Sequence, residues 1–193
     1  MHSPDLHARR LSRAEIGPPE PPMTYLVVSS LADLPATVAE HGALDVVTLI
    51  NIDTPVERPV TITAERHLFL GMNDIVAPID GMTAPAEDHL DQLLAFGHRW
   101  DRATPLAVHC WAGISRSTAA AYILALAINP DLDEEALAKE LRRRAPSATP
   151  NARLVALADA KLARDGRMTR AIAAIGRGAD AYSGTPFILP LTL

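Results

Sequence analysis

Short apolar runs alternate with amphipathic segments along the first two-thirds of the chain. Runs rich in Val, Leu and Ile are typical of buried strands, and four occur, at residues 25–29, 44–50, 67–72 and 105–109. Apolar residues at helical spacing predict helices over residues 31–41, 86–100, 117–128, 133–144, 151–165 and 168–175. Since strands that alternate with helices form parallel sheets with right-handed crossovers, we predict an α/β fold with a mostly parallel central sheet flanked by helices.

The two ends of the chain depart from this pattern. Residues 1–22 contain five prolines and mixed charges without periodicity, which predicts a flexible N-terminal extension. Residues 23–193 are long enough to form a single domain with its own core. The final ten residues, GTPFILPLTL, are expected to dock on that domain as an extended piece.

Composition narrows the range of functions. Apolar residues make up 48% of the chain, charged residues 21%, and the net charge of −5 disfavours nucleic acid or an anionic membrane as partner. No apolar run is long enough to cross a bilayer and no signal peptide is visible, so we expect a cytoplasmic protein. The single cysteine excludes an internal disulfide and a Cys-rich zinc site. The histidines lack metal-site spacing, and neither a metal nor a cofactor is expected.

That cysteine, Cys110, lies between the fourth predicted strand and the next helix. A lone cysteine is by itself most often a small buried apolar residue, but a helix that follows a parallel strand offers unpaired N–H groups to an anion. Gly113 allows a sharp turn and a close approach to a ligand, and Arg116 can grip two phosphate oxygens. Converging amides and a guanidinium favour the nucleophilic thiolate, and the Ser117 hydroxyl can donate to the sulfur. The predicted phosphate-binding residues are Trp111, Ala112, Gly113, Ile114, Ser115 and Arg116.

The string HCWAGISRSTAAAYI at residues 109–123 resembles the C-x5-R signature of protein tyrosine phosphatases, and more closely that of bacterial dual-specificity-like members. A second stretch, RRRAPSATPN at residues 142–151, is similar to an Arg-Pro…Pro-Asn segment of that subgroup, although Ala145 interrupts it. The resemblance covers roughly residues 44–160. It implies a cysteine-phosphatase fold and a reaction in two steps, in which Cys110 takes the phosphoryl group and water then releases it. An aspartic acid serves as general acid and base, and no metal takes part.

Three aspartates compete for the role of general acid. Asp74 directly follows the third predicted strand, so it should emerge at the same sheet edge as Cys110, and its context LFLGMND resembles the subgroup's pattern. Asp80 has the more usual spacing from the cysteine and lies on a loop bounded by Pro and Gly. Asp53 also follows a strand. We favour Asp74, and each of the three could instead be a solvated loop residue or a turn cap.

His109 and Ser117 have supporting roles in this interpretation. His109 is expected to be structural, with a ring that hydrogen-bonds the loop and supports the thiolate, rather than a general base. Trp111 either lines the mouth of the pocket or packs beneath it, and the sequence does not distinguish the two.

The leading interpretation is a phosphatase of phosphotyrosine in proteins, with or without dual specificity. The partner would be a phosphorylated protein or a small phosphate ester, and the absence of lysine from the loop disfavours inositol lipids. Arsenate reductases and low-molecular-weight phosphatases share C-x5-R but carry it after the first strand, whereas here it follows the fourth. The Arg-Ser pair at the end of the motif fits a phosphatase better than a rhodanese-like sulfurtransferase. A catalytically silent phosphate-binding module and a phosphatase of a non-protein ester remain the alternatives.

Overall fold

The computed structural model describes residues 24–193, so the predictions for residues 1–22 lie outside the described residues. Five strands are present in that range: β1 (Tyr25–Ser30), β2 (Asp45–Ile50), β3 (His67–Gly71), β4 (Leu106–Cys110) and β5 (Phe187–Pro190). Six α-helices accompany them: α1 (Leu34–His41), α2 (Glu87–Arg99), α3 (Arg116–Ile128), α4 (Glu134–Arg144), α5 (Ala152–Lys161) and α6 (Arg167–Ile175). A single 3₁₀ turn, Ala64–Arg66, leads into β3. Among these helices, none has both the length and the hydropathy needed to cross a membrane.

The strands form one sheet in the order β3-β2-β4-β1-β5, in which the first four are parallel and β5 is antiparallel to β1. The predicted α/β fold with a mostly parallel sheet is confirmed. Register places Ser30 opposite Cys110, and Ile50 opposite Gly71. The carboxyl ends of the parallel strands therefore meet at one edge, where α/β proteins bind their ligands.

The two faces of the sheet are covered unequally. Alternate residues of β1 point to opposite faces, so that Leu26 and Val28 enter a large core cluster while Val27 enters a small one. The large cluster packs against α2, α3, α4, α5 and α6, whereas α1 covers the other face. Helix α3 lies at the centre of the large cluster, and 11 of its residues are buried. This explains why its sequence is apolar on all sides.

Helix α1 begins at Leu34 rather than at residue 31. The Ser30 hydroxyl donates to Asp33 Oδ2 at 2.6 Å and accepts from the Asp33 N–H at 3.1 Å, which closes a turn ahead of the helix. The Leu31 N–H is used elsewhere, because it donates to the carbonyl of Trp111 at 3.1 Å. The predicted start was three residues early because a side-chain turn competes with the first helical turn.

Helix α5 ends at Lys161 and not at residue 165 as predicted. Ala163 and Asp165 adopt left-handed backbone angles, with φ of 51° and 52°, which a helix cannot contain. Between them Arg164 is buried and donates to the carbonyls of Leu126 and Pro130. The helix therefore ends where Arg164 makes its contacts with Leu126 and Pro130, which lie far from it in the chain.

The C-terminal tail docks as predicted, as strand β5 on the outer edge of β1. Phe187 and Leu189 point into the large core cluster. Pro190 is tolerated because β5 is an edge strand, which needs no hydrogen bond on its outer side.

Candidate active site

A cavity of about 330 Å³ opens at the carboxyl edge of the parallel strands. It is lined by the loop between β4 and α3, by residues that follow β2 and β3, and by the segment that precedes β5. The lining residues are Ile50, Asn51, Thr54, Asp74, Cys110, Trp111, Ala112, Ile114, Ser115, Arg116, Ala181 and Tyr182. In the described part of the chain, no three His, Cys, Asp or Glu side chains are grouped as a metal site would require.

The carbonyl groups of the β4–α3 loop are bound from outside by three separate segments. The bonds run from the N–H of Leu31 to the oxygen of Trp111 (3.1 Å), from Gly184 to Ala112 (2.8 Å), from Thr149 to Ile114 (2.9 Å) and from Asn151 to Ser115 (3.3 Å). In a trans peptide the C=O and the next N–H point in opposite directions. Carbonyls held outward therefore turn the N–H groups of residues 112, 113, 115 and 116 inward. None of these N–H groups has a hydrogen-bond partner within residues 24–193, so they form a nest suited to an anion.

Gly113 takes a different position from the other loop residues. Its φ is +71°, and a Cβ there would lie 2.8 Å from the carbonyl carbon of Ser29 and 2.9 Å from the Ser30 nitrogen. Glycine is required because the loop comes close to the backbone of β1 at this position. The sequence had suggested a close approach to the ligand instead. The other five predicted phosphate-binding residues line the cavity, whereas Gly113 contributes only its inward N–H group.

Cys110 is the last residue of β4, and its side chain is 2% exposed. Its Sγ lies 3.2 Å from the Ser117 Oγ, at the beginning of α3. The hydroxyl can donate to the sulfur in its ionised form, as the sequence suggested. The strand end and the helix start therefore hold the sulfur at the bottom of the cavity.

Arg116 is 5% exposed, and its guanidinium is held by hydrogen bonds from Nη1. Its Nη1 donates to Asn51 Oδ1 at 2.9 Å and to the carbonyl of Met72 at 2.6 Å. Its Nε is buried and has no hydrogen-bond partner in the described residues. Buried guanidinium N–H groups are nearly always paired, so this one is available to donate a hydrogen bond to a ligand in the cavity.

Asp74 is the only one of the three candidate aspartates that lines the cavity. Its Oδ1 accepts hydrogen bonds from the Ser115 hydroxyl and from Asn151 Nδ2, both at 2.8 Å. Its Oδ2 lies 4.0 Å from Arg116 Nε. Asp80 and Asp53 are exposed on neighbouring loops and do not reach the cavity. The structure thus places Asp74, the aspartate favoured from the sequence, in the same cavity as Cys110.

Comparison with known proteins identifies the fold that carries this cavity. No protein-family model matches the chain, and no curated protein sequence matches it significantly. Solved structures do match. The PTP-2 phosphatase of Cydia pomonella is 22% identical with a TM-score of 0.55, over 69% of this chain and 83% of its own. Human DUSP28 is 19% identical with a TM-score of 0.52, over 80% and 96% of the two chains. DUSP15 is 19% identical with a TM-score of 0.53, over 79% and 92%.

The chain has the fold of protein tyrosine and dual-specificity phosphatases. The resemblance that the motif around Cys110 indicated is confirmed at the level of this cysteine-phosphatase fold.

His109 is buried beneath the loop of this phosphatase fold. Its Nε2 lies 2.6 Å from the Thr48 hydroxyl, and its Nδ1 lies 3.4 Å from the carbonyl of Cys110. Burial lowers the pKa of His109 from 6.5 to about 4, so the ring is neutral near pH 7. The Thr48 hydroxyl also bonds His67 at 2.7 Å. A consistent assignment is that His67 donates to Thr48, Thr48 to His109, and His109 to the Cys110 carbonyl. In this position the ring supports the backbone of the cysteine and does not reach the cavity.

Three site residues were not identified as such from the sequence. Asn51 anchors Arg116 and directly follows β2. Asp74 was favoured because it follows β3, and the same argument from strand ends could have identified Asn51. Asn151 was predicted only as the N-cap of α5, which it is, accepting from the Leu154 N–H at 3.0 Å. Its amide nitrogen also holds Asp74. Tyr182 belongs to a segment with no local signal at all.

The mouth of the cavity is aromatic. The Trp111 side chain is 55% exposed, and that of Tyr182 is 92% exposed. Trp111 therefore lies at the mouth rather than beneath the loop, which settles the choice that the sequence left open.

Proposed function

We propose that the chain is a cysteine-dependent phosphatase that hydrolyses phosphate monoesters, with phosphotyrosine in proteins as the leading substrate. The observation that carries the proposal is the loop of inward N–H groups around Cys110, closed by a guanidinium whose Nε has no hydrogen-bond partner in residues 24–193. This arrangement matches the three equatorial oxygens of a transferring phosphoryl group.

In the first step the Cys110 thiolate attacks phosphorus. A bond forms between Sγ and phosphorus as the bond from phosphorus to the ester oxygen breaks. The loop N–H groups and Arg116 stabilise the charge on the phosphoryl oxygens, and Asp74 gives its proton to the departing oxygen. The products are the free alcohol or phenol and a phosphocysteine.

In the second step water attacks the phosphocysteine. Asp74, now ionised, takes a proton from the water, and the bond between Sγ and phosphorus breaks to release inorganic phosphate. The Ser117 hydroxyl lies 3.2 Å from Sγ and can stabilise the departing thiolate with a hydrogen bond. The proton that Asp74 gained restores it for the next cycle.

The lining of the cavity supports an aromatic substrate. Among residues 24–193, the charged side chains that line it are Asp74 and Arg116, with no lysine, whereas a polyphosphorylated headgroup would call for further cations. Trp111 and Tyr182 offer apolar faces at the mouth, where the ring of a phosphotyrosine would pass.

The test is hydrolysis of a panel of aryl phosphates, phosphopeptides and phospholipids by wild type and by Cys110→Ser. We expect turnover of nitrophenyl phosphate and phosphotyrosine peptides by wild type and none above background by the variant. Binding of phosphate without turnover by wild type would show a silent phosphate-binding module, and turnover confined to small or lipid phosphates would overturn the assignment of a protein substrate.

A further inference from the structure

A second, smaller cavity lies directly beside the catalytic one. Its volume is about 240 Å³. Trp111, Ala112 and Tyr182 line both cavities, and we call the two aromatic side chains among them, Trp111 and Tyr182, the aromatic ridge. We call the second cavity the flanking slot, and its remaining walls are Ser30, Leu31, Ala32 and Ser183.

The flanking slot is apolar in character. None of its lining residues carries a charge. The Ser30 hydroxyl is engaged with Asp33, and the Ser183 hydroxyl lies 3.4 Å from the Ala112 carbonyl, so the two serines are directed toward the protein. What remains for a ligand is the surface of Leu31, Ala32 and the aromatic ridge, which favours an apolar group over a polar one.

Backbone hydrogen bonds hold the segments that line the slot. The Leu31 N–H donates to the Trp111 carbonyl, and the Gly184 N–H donates to the Ala112 carbonyl. These are the same bonds that hold the cysteine loop. The Tyr182 ring, in contrast, is 92% exposed and has apolar surface to bury when a ligand arrives.

We propose that the flanking slot binds an apolar side chain of the substrate, one or two residues from the phosphorylated tyrosine. This rests on the proposed phosphatase function and adds to it a sequence preference. The two cavities share three lining residues. Residues of an extended peptide advance about 3.3 Å each, and alternate side chains lie on the same face. A phosphotyrosine in the catalytic cavity therefore brings a near neighbour to the slot.

The experiment uses phosphotyrosine peptides that carry serine at all flanking positions, compared with peptides in which one serine within two residues of the phosphotyrosine is leucine. Each kcat/KM is divided by that for nitrophenyl phosphate on the same preparation. We expect leucine at one of these positions to raise the ratio about ten-fold, since a leucine side chain leaves water.

The variant Ala32→Glu places a charge in the slot at an exposed position of the fold, and we expect it to abolish the preference for leucine. Ala36→Glu is the matched control, because Ala36 is exposed on α1 outside the slot, and it should retain the preference. Equal ratios for all peptides in wild type, or an intact preference in Ala32→Glu, would overturn the proposal while leaving the phosphatase assignment in place.

The same peptides are titrated against Cys110→Ser by fluorescence anisotropy. Tighter binding of the leucine peptide than of the serine peptide, lost when Ala32→Glu is added to Cys110→Ser, supports the slot. If this result is found and wild type shows no turnover, only the proposed function fails. Equal affinities, or binding to phosphatidylcholine vesicles in place of any peptide preference, would refute the slot as a peptide subsite.

Discussion

At the scale of single residues, the site depends on side chains that hold other side chains. Arg116 is positioned by Asn51, and Asp74 is positioned by Asn151 and Ser115. In the proposed reaction, the groups that would meet the substrate are thus oriented before it arrives, which would reduce the reorganisation needed.

The proposed role of Asp74 predicts a dependence on the leaving group. Asp74→Asn keeps the shape of the side chain but removes the proton, so kcat for an alkyl phosphate should fall by about 10²- to 10⁴-fold. A nitrophenolate needs little protonation, and its kcat should fall much less. Steady-state kinetics on both esters measures the difference. Asp80→Asn is the control and should leave both rates near wild type, and the opposite result would transfer the role to Asp80.

Asn151 combines a helix cap with the support of Asp74, and two variants separate these roles. Asn151→Ala loses both and should lower the free energy of unfolding by about 1 kcal/mol. Asn151→Ser keeps an oxygen for the Leu154 N–H but has no amide to reach Asp74. We expect near-normal stability in urea but reduced kcat for alkyl phosphates. Normal kinetics in Asn151→Ser would show that Asn151 acts only as a cap.

The buried His109 predicts a loss of stability in mild acid. In the folded protein its pKa is about 4, while in the unfolded chain it is near 6.5. Between these values the unfolded state holds more protons, so stability is present above pH 6.5 and falls as the pH drops toward 4. The expected contribution from pH 7.5 to 4.5 is about 2 to 3 kcal/mol.

Urea unfolding across this pH range measures the effect in wild type and in His109→Gln. Burial also lowers the pKa of His67 and His89, so some dependence of the same sign should persist in the variant. The slope against pH should nevertheless be smaller in His109→Gln, and an unchanged slope would contradict the argument.

At the scale of elements, the cysteine loop is shaped by segments far from it in the chain. Gly184, just before β5, donates to Ala112, and a Cβ at position 184 would lie 3.0 Å from the Gly113 oxygen and 3.4 Å from Ile114 Cγ1. The tail is therefore a structural part of the site as well as the edge of the sheet.

Gly184→Ala should displace the loop by a few tenths of an ångström. Since catalytic groups tolerate little misplacement, kcat/KM for nitrophenyl phosphate should fall by about ten-fold, while the melting temperature changes little. The matched control is Thr185→Val, at the exposed neighbouring position, which should retain activity. Equal activities in the two variants would show that the loop does not depend on this contact.

At the scale of the whole molecule, the sheet joins the site to the large core. β1 pairs with β4 on one side and with β5 on the other, so the strand that ends in Cys110 is two strands from the edge. Leu189 of β5 is fully buried in the large cluster, whereas Ile188 is only half-buried.

Leu189→Ala should therefore lower the free energy of unfolding by about 2 to 5 kcal/mol, through lost burial and the cavity left behind. Ile188→Ala on the same strand should cost only about 1 kcal/mol. Urea unfolding monitored by tryptophan fluorescence measures both. Equal losses would mean that β5 is held by its backbone bonds rather than by the core.

The sequence by itself determined the strands, most helices and the place of Cys110 at the carboxyl edge of the sheet, and it favoured Asp74 over Asp53 and Asp80. These follow from periodicity and from the order of elements, which are local properties of the chain. The sequence placed two helix ends wrongly, at residues 31–33 and 162–165. There a side-chain turn and the contacts of a buried arginine replace the helix that the apolar spacing predicts.

Only the tertiary structure decided how the loop carbonyls are turned outward and which groups hold Arg116 and Asp74. The contact of Arg116 with Asn51 spans 65 positions, and that of Asp74 with Asn151 spans 77. Contacts at such separations leave no periodic trace, because each arises from the packing of whole elements rather than from neighbouring residues. The same holds for Tyr182 and the flanking slot, which exist only once the tail has folded back across the loop.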